Sequence, residues 1–524
     1  MKEPAVSVQN LSVSLQRDRR INPVLHDLSF EVGPGKILAV IGQSGSGKTT
    51  LGAALQGLLP ASSRPKVSGS ITLGDIELVG AKSHSLQWVR RNVVRSISQD
   101  PMNALNPTMT IRAQLREAAR CDDDLIEDWL RRLSFSDISR IARAFPHTLS
   151  GGQRQRICIA MALMAKPKVL VADEPTTGLD HTLQRLVYDL IRDAAVTHKT
   201  AVIFITHNLS AATAVADSIL VLEKGRIVEA GGLTTVLTRP RHAYTQQLVT
   251  SRIELETGVA GGTLPHFHNR DRDQRESRKS AALSFQSVSF QYGVTPFEVR
   301  RRGRLPVLQS LTLSVAEGEC VALVGSSGEG KSTILRIAAG LLRPSAGSVW
   351  RKSDSIPQLV FQDSVASLTP WLTIGEQIGE RLKSLQLSHA TYRRQLEQAL
   401  EIVGLEHKLL DALPSQMSVG QCQRACLARA IIAPPKLLLC DEPTSSLDSA
   451  LALDMLKLIR ELRERFGMTV LFATHDLAVA KFVANRVAIL RDGQITGVGE
   501  PERIIETLKA TRPSLIEQRA EWLP

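Results

Sequence analysis

Two segments of this chain place glycines, a lysine and a hydroxyl in the order that grips a polyphosphate. They are Gly42-Gln43-Ser44-Gly45-Ser46-Gly47-Lys48-Thr49 and Gly325-Ser326-Ser327-Gly328-Glu329-Gly330-Lys331-Ser332. Both fit G-x-x-x-x-G-K-[ST], in which glycines let backbone N–H groups wrap the phosphates and the lysine reaches the terminal ones. The hydroxyl of Thr49 or Ser332 is suited to ligate Mg²⁺. An apolar run precedes each copy, Ile37-Leu38-Ala39-Val40-Ile41 and Val321-Ala322-Leu323-Val324. A helical pattern follows, opening with Thr50 and Thr333. That strand–loop–helix setting adds the partial positive charge of a helix N-terminus beneath the anion. Two matches in the right setting imply nucleotide binding.

Further groups suit phosphoryl chemistry. Asp173-Glu174 ends an apolar run and Asp441-Glu442 ends its counterpart. In each pair the aspartate would hold the metal and the glutamate would polarise an attacking water. His207 and His475 each follow a threonine at the end of another apolar run, near where a γ-phosphate would lie. Ser150-Gly151-Gly152-Gln153, and Ser418-Val419-Gly420-Gln421 in the same relative place, open helices with small residues, a second kind of anion site. Its own phosphate loop has no need of such a turn, so each is best placed on a nucleotide held by the other half.

All these segments recur in the same order, which marks a tandem duplication. Gln99 in Ser98-Gln99-Asp100 is matched by Gln362 in Phe361-Gln362-Asp363. Val6 to Val32 and Leu283 to Val315 alternate apolar and polar residues like antiparallel strands. Runs such as Val169-Leu170-Val171-Ala172 and Ala201-Val202-Ile203-Phe204-Ile205 are short and continuously apolar, as in parallel strands buried on both faces. Leu115 to Ala144 and Thr373 to Leu413 read as small helical subdomains. Between the copies, residues 254–280 are polar, glycine-containing and without periodicity, a flexible linker. The expected domains are therefore 1–253 and 281–524.

Bulk properties exclude several classes. A chain of 524 residues with 43% hydrophobic and 22% charged residues is an ordinary globular one. The sequence shows no signal-peptide pattern and no apolar stretch of membrane-spanning length, so a soluble, cytoplasmic chain is expected. Its net charge of +12 gathers in clusters such as Arg300, Arg301, Arg302 and Arg304, but aromatics are only 4% and no base-stacking pattern accompanies them. No nucleic-acid partner is expected. The six cysteines are scattered, and Cys422 and Cys426 lack further ligands nearby, so reduced structural thiols are expected.

In this order the motifs resemble the ATP-binding cassette (ABC) family, over almost the whole chain. The resemblance implies two tandem α/β P-loop ATPase domains, each with a RecA-like core, an antiparallel β subdomain and a helical subdomain. It implies ATP and Mg²⁺ as cofactors, with the halves closing head-to-tail. One site would join Lys48, Thr49, Gln99, Asp173, Glu174 and His207 with Ser418, Gly420 and Gln421. The other would join Lys331, Ser332, Gln362, Asp441, Glu442 and His475 with Ser150, Gly152 and Gln153. Thr49, Gln99 and Asp173, and likewise Ser332, Gln362 and Asp441, would surround the metal. Asp180 and Asp448 look like the loop through which the halves communicate, and Tyr292 could stack on adenine. The stretches Gln99-Asp100-Pro101-Met102-Asn103-Ala104-Leu105-Asn106-Pro107 and Pro240-Arg241-His242-Ala243-Tyr244-Thr245 are similar to the oligopeptide/dipeptide/nickel importer branch. That likeness implies two membrane permeases and an extracytoplasmic substrate-binding protein as partners, and a peripheral place on the cytoplasmic face of the cell membrane. Peptide is the expected cargo, with nickel or a metal chelate as the alternative. A tandem sugar-importer ATPase and a soluble ribosome-associated ABC protein fit less well.

Some positions depart from that pattern. Val419 replaces a glycine of the second signature, and Leu15 stands where the first half should offer an aromatic. A β-branched residue resists φ > 0 and crowds a phosphate, so the Lys48 site is expected to turn over slowly. Glu329 is out of place beside a polyphosphate unless it faces solvent. No iron–sulfur cluster is expected, since neither tail carries clustered cysteines.

Overall fold

Short, mostly apolar runs form the central strands of both halves, and alternating segments form the outer antiparallel ones. The computed structural model describes residues 3–17, 20–176, 179, 181–257, 281–292, 306–326, 328–352, 356–445 and 447–510. Ser327, Asp180, the basic cluster at 300–304 and linker residues 258–280 lie outside these. The chain divides into two units, Met1–Thr250 and Ser251–Pro524.

In the first unit the strands are β1 (Val6–Arg17), β2 (Arg20–Val32), β3 (Ile37–Ile41), β4 (Lys66–Leu73), β5 (Ile76–Glu77), β6 (Val94–Ile97), β7 (Val169–Asp173), β8 (Ala201–Thr206), β9 (Ser218–Glu223) and β10 (Arg226–Gly232). They make an antiparallel sheet, β2-β1-β4-β5, and a six-stranded sheet, β10-β9-β3-β8-β7-β6. Strand β3 pairs in parallel with β8 and β9, and β7 pairs in parallel with β6 and β8. Every residue of β3 and β8 is buried, which explains their uninterrupted apolar sequence. The order β3-β8-β7 matters most. It brings the loop after β3, His207 after β8 and the Asp173-Glu174 end of β7 to one edge.

The second unit repeats the plan with β11 (Ala281–Phe290), β12 (Leu308–Ala316), β13 (Cys320–Val324), β14 (Ala346–Arg351), β15 (Gln358–Val360), β16 (Leu437–Asp441), β17 (Thr469–Thr474), β18 (Arg486–Arg491) and β19 (Gln494–Gly499). Its sheets run β12-β11-β14 and β15-β16-β17-β13-β18-β19, so β13-β17-β16 repeats the functional edge. The helical subdomains are present: Ile111–Ala119, Asp123–Arg132 and Ile138–Arg143 in one unit, Ile374–Ile378 and His389–Ile402 in the other. Two tandem α/β cassettes are therefore what the chain folds into.

One boundary differs from the expected linker at 254–280. The helix Ala243–Thr257 runs past Glu254, and Leu255 is buried in the core of the second unit. Glu254 there pairs with Lys457 at 2.8 Å. An apolar residue and an ion pair in an otherwise polar stretch carry the helix further than composition suggests. Among the described residues no helix is long and apolar enough to cross a membrane. All six cysteines are unpaired thiols. Burial pushes those of Cys158 and Cys320 up to about 12.

Phe204 and Phe472 occupy equivalent, fully buried places in β8 and β17. Phe204→Ala should destabilise the first unit by about 3–5 kcal/mol, as large-to-small changes in cores do. Urea unfolding followed by tryptophan fluorescence checks this, and a loss below about 1 kcal/mol would contradict the packing described.

Candidate functional site

Each phosphate loop is folded around its own lysine. Lys48 Nζ donates to Gly42 O at 2.6 Å and to Gln43 O at 2.8 Å. Lys331 Nζ donates to Gly325 O at 2.8 Å and Ser326 O at 3.0 Å. Both lysines are buried. Gly47 and Gly330, with φ of 101° and 103°, cap the helices Lys48–Ala54 and Lys331–Ala338. A Cβ on Gly47 would stand 2.6 Å from Leu25 Cδ2, and one on Gly330 2.7 Å from Leu308 Cδ2. The conformation therefore demands glycine there, and any side chain would also have to push a leucine methyl aside. Ser44 and Gly45 sit exposed on the rim, as does Gly328.

The acidic pairs stand beside these loops. Thr49 donates a hydrogen bond to the Asp173 carboxyl, and Ser332 Oγ donates to Asp441 Oδ1 at 3.0 Å. Burial, reinforced by the neighbouring Glu174, pushes Asp173 up to about 6, against the opposing pull of Thr49 and Lys48. Burial likewise raises Asp441. A hydroxyl and a buried carboxylate held this close, with an amide-bearing glutamine across the site, form an oxygen donor set of the kind Mg²⁺ takes. The residues fit the ion.

Glu174 and Glu442 are held in unusual ways that sequence does not disclose. Their φ angles are +47° and +45°, a left-handed conformation costly for a side chain of this kind. Glu174 N–H donates to Ile205 O at 2.9 Å and Glu442 N–H to Ala473 O at 3.0 Å, which fixes each kink against the adjacent strand. His207 Nδ1 donates to Glu174 Oε1 at 2.8 Å, and His475 Nδ1 to Glu442 Oε2 at 2.9 Å. Gln99 Nε2 lies 3.5 Å from Glu174 Oε2. Lys331 Nζ stands 3.3 Å from Glu442 Oε1. Gln362 is exposed. The lysine, hydroxyl, acidic pair and histidine of each half thus converge on one edge of its own sheet.

The signature turns are helix caps. Ser150 Oγ accepts from Gln153 N–H at 3.3 Å, and Gln153 Oε1 accepts from Ser150 N–H at 3.0 Å. Ser418 and Gln421 repeat the exchange at 3.2 Å and 2.9 Å. The two glutamines expected on a nucleotide thus tie their own turn together, a capping box. The conformational obstacle expected at Val419 does not arise. Neither Gly151 nor Val419 has a positive φ, because each is the first residue of a helix. A Cβ at Gly151 would meet nothing within 4 Å, so only crowding of a ligand could distinguish the two turns. Tyr292 is half-exposed, edge-on to Phe290 at 4.9 Å, and shares a hydrogen bond with Thr333 Oγ1 at 3.2 Å.

Sequence reasoning passed over Gln114 and Gln377. Both are buried; Gln114 binds Asn106 N–H and the carbonyls of Asn106 and Met109, while Gln377 binds Thr369 N–H and the carbonyls of Thr369 and Leu372. They brace the loops that follow Gln99 and Gln362. Their equal offset from Ile111 and Ile374 in the duplication was the available signal.

Comparison with known proteins agrees with this geometry. The model of the family described as ABC transporter matches residues 25–177 and again 308–445. The chain is 32% identical to the peptidoglycan transport ATP-binding protein YejF of Agrobacterium fabrum, covering 96% of this chain and 94% of that one. It is 30% identical to the oligopeptide transport ATP-binding protein OppD of Mycobacterium tuberculosis, covering 96% of each. With the glutathione import ATP-binding protein GsiA of Pectobacterium atrosepticum it shares 33% identity over 96% of this chain and 87% of the relative. A solved structure titled RNase-L Inhibitor matches with a TM-score of 0.62 at 19% identity, covering 95% of this chain and 92% of that one, which shows the fold alone.

The Glu442–His475 pair has a predictable pH dependence. The Glu442 hydrogen bond and charge raise His475 above its ordinary 6.5, outweighing burial. Burial raises Glu442, but the His475 bond and charge, with Lys331, outweigh it and hold the carboxyl below 4.5. The histidine's contribution to stability is therefore complete below 6.5 and lost as pH rises through its raised value. The glutamate's is complete above 4.5 and lost as pH falls through its depressed value. In Glu442→Gln the His475 titration should move down by NMR, and the stability gap to wild type should be widest between pH 4.5 and 6.5. An unmoved His475 titration would refute the coupling.

Proposed function

Because the chain belongs to the ABC transporter family, as an ATP-hydrolysing protein of the importer type with two cassettes, we propose that it energises uptake of peptides or peptide-like molecules. The observation that carries the catalytic half of this reading is the repeated constellation of lysine, Asp-Glu pair and strand-end histidine around each phosphate loop. Lys48 and Lys331 exchange their loop carbonyls for the β- and γ-phosphates of ATP. Thr49 with Asp173, and Ser332 with Asp441, would hold Mg²⁺, aided by Gln99 and Gln362. The ion, when bound, neutralises charge on the β- and γ-oxygens. Glu174 and Glu442 accept a proton from the attacking water, with His207 and His475 holding each carboxylate in aim. Tyr292 offers its ring to adenine in the second half. Ser150 with Gly152, and Ser418 with Gly420, complete the site of the opposite half when the cassettes pair head-to-tail.

Kinship supports this cargo. The relatives named for peptidoglycan, oligopeptide and glutathione transport all handle molecules containing amide-linked amino acids. Two membrane permeases and an extracytoplasmic binding protein are the partners, with this chain peripheral on the cytoplasmic face of the cell membrane. To test this, the chain is co-purified with its permeases in lipid and its ATPase rate is followed as loaded binding protein is added. Stimulation by a peptide, with none by a nickel chelate, is the expected result; the reverse would move the cargo to metal uptake.

The two sites are unequal in this proposal. Val419 crowds the Lys48 site and Leu15 offers adenine no ring, so the Lys331 site carries most turnover. Glu442→Gln should lower ATPase activity by about 100-fold or more, whereas Glu174→Gln should retain most of it. Loss of turnover in Glu174→Gln alone would sink the asymmetry.

A further inference from the structure

The two phosphate loops differ sharply in charge at one interior position, Ser46 in the first and Glu329 in the second. Facing solvent, a carboxylate there would trouble a polyphosphate little. Glu329 faces solvent only in part. Its Oε2 is buried and, among the described residues, has no hydrogen-bond partner. That oxygen lies 2.7 Å from where a Cβ on Gly325 would stand, a point Leu490 O also approaches to 2.7 Å. Ser46 Oγ takes the matching place in the first loop, 2.6 Å from the corresponding point on Gly42. One loop is thus built around a neutral hydroxyl and the other around an acid.

Few charges face that acid. Burial is the largest influence on it and raises its pKa; Lys331 opposes this, as do Ser326 hydrogen bonds from backbone and hydroxyl. Asp492, in the turn between β18 and β19, adds repulsion. Lys331 is therefore the cation that favours the charged form. It is also the group a nucleotide would draw away from the Gly325 and Ser326 carbonyls. Phosphate arriving in the loop would bring several negative charges toward Glu329 and divert its counter-ion. Both changes favour the neutral acid.

We propose that nucleotide binding at the second loop is proton-linked through Glu329: the filled loop holds this carboxyl protonated, and the empty loop releases the proton to solvent. One proton is taken up from water onto a carboxylate oxygen when nucleotide enters and is returned when it leaves. No covalent bond changes. Since the filled state has the higher pKa, affinity falls as pH rises through the interval between the two values. The first loop, with Ser46, lacks this term. The inference rests on ATP binding by the family and is independent of the cargo.

The test uses the full chain with the first loop silenced by Lys48→Ala, titrated calorimetrically with Mg²⁺ and a non-hydrolysable ATP analogue. Titrations run from about pH 5.5 to 8.5 in buffers of different ionisation enthalpy, with Glu329, Glu329→Gln and Glu329→Ser compared. The glutamine variant keeps the shape, and the serine variant copies the first loop. Both should bind about tenfold tighter than Glu329 at the alkaline end for each pH unit between the two pKa values, and converge with it at the acid end. Both should also take up close to one proton fewer where the gap opens. A constant affinity ratio with equal proton uptake would overturn the proposal. The same comparison with Lys48 intact reads the difference should the silenced chain not fold. Absence of nucleotide binding in every version would instead overturn ATP binding itself, and the proposal with it.

Discussion

Burying an ammonium group is the constraint from which both sites follow. Lys48 is 7% exposed and Lys331 5%. An unpaired charge at such depth would cost several kcal/mol, roughly. Each loop therefore curls until two of its own carbonyls face the lysine, and only a glycine in the left-handed region lets the chain turn back into the helix. Curling in this sense points the Gly42, Gln43, Gly325 and Ser326 carbonyls inward. The strand order then supplies the counter-charges. With β8 between β3 and β7, and β17 between β13 and β16, an acidic pair and a histidine end at the same edge as the loop. The carbonyls are placeholders. In the proposed mechanism they keep the lysine satisfied until phosphate, a better partner, replaces them.

The parts of this arrangement that rest on local chemistry were legible in the sequence. Strand β3 followed by the glycine loop, Asp173-Glu174 closing β7 and the capping serines all announce themselves through residue type and spacing. What depends on tertiary contact was not. The left-handed backbone at Glu174 arises from its N–H reaching Ile205 on a neighbouring strand, and nothing in Asp-Glu-Pro encodes that. The backbone obstacle expected at Val419 is absent because Gly151, its counterpart, is merely the first residue of an ordinary helix turn with no positive φ. The helix through Thr257 extends into polar sequence because Leu255 finds a core distant in the chain. Glu329 was the least readable, since nothing in its charge announces that its carboxyl oxygen lies against Gly325.

Duplication makes each half a control for the other. Where both copies agree, as with the glutamate–histidine bond or the paired carbonyls on the lysine, the feature belongs to the shared fold. Where they differ, the shared fold cannot be the cause. Ser46 and Glu329 occupy the same pocket of backbone, so packing accommodates either a hydroxyl or a carboxyl there. Electrostatics does not treat them alike. A buried carboxylate beside a polyphosphate must be neutralised or displaced, while a hydroxyl is indifferent to the ligand's charge. The same logic sets Val419 against Gly151, with volume in place of charge. One difference lies in the phosphate loop of the second half and the other in the turn expected to face the first half's nucleotide. Two cassettes of one fold can in this way hold nucleotides on different terms, without any change in the groups proposed for hydrolysis.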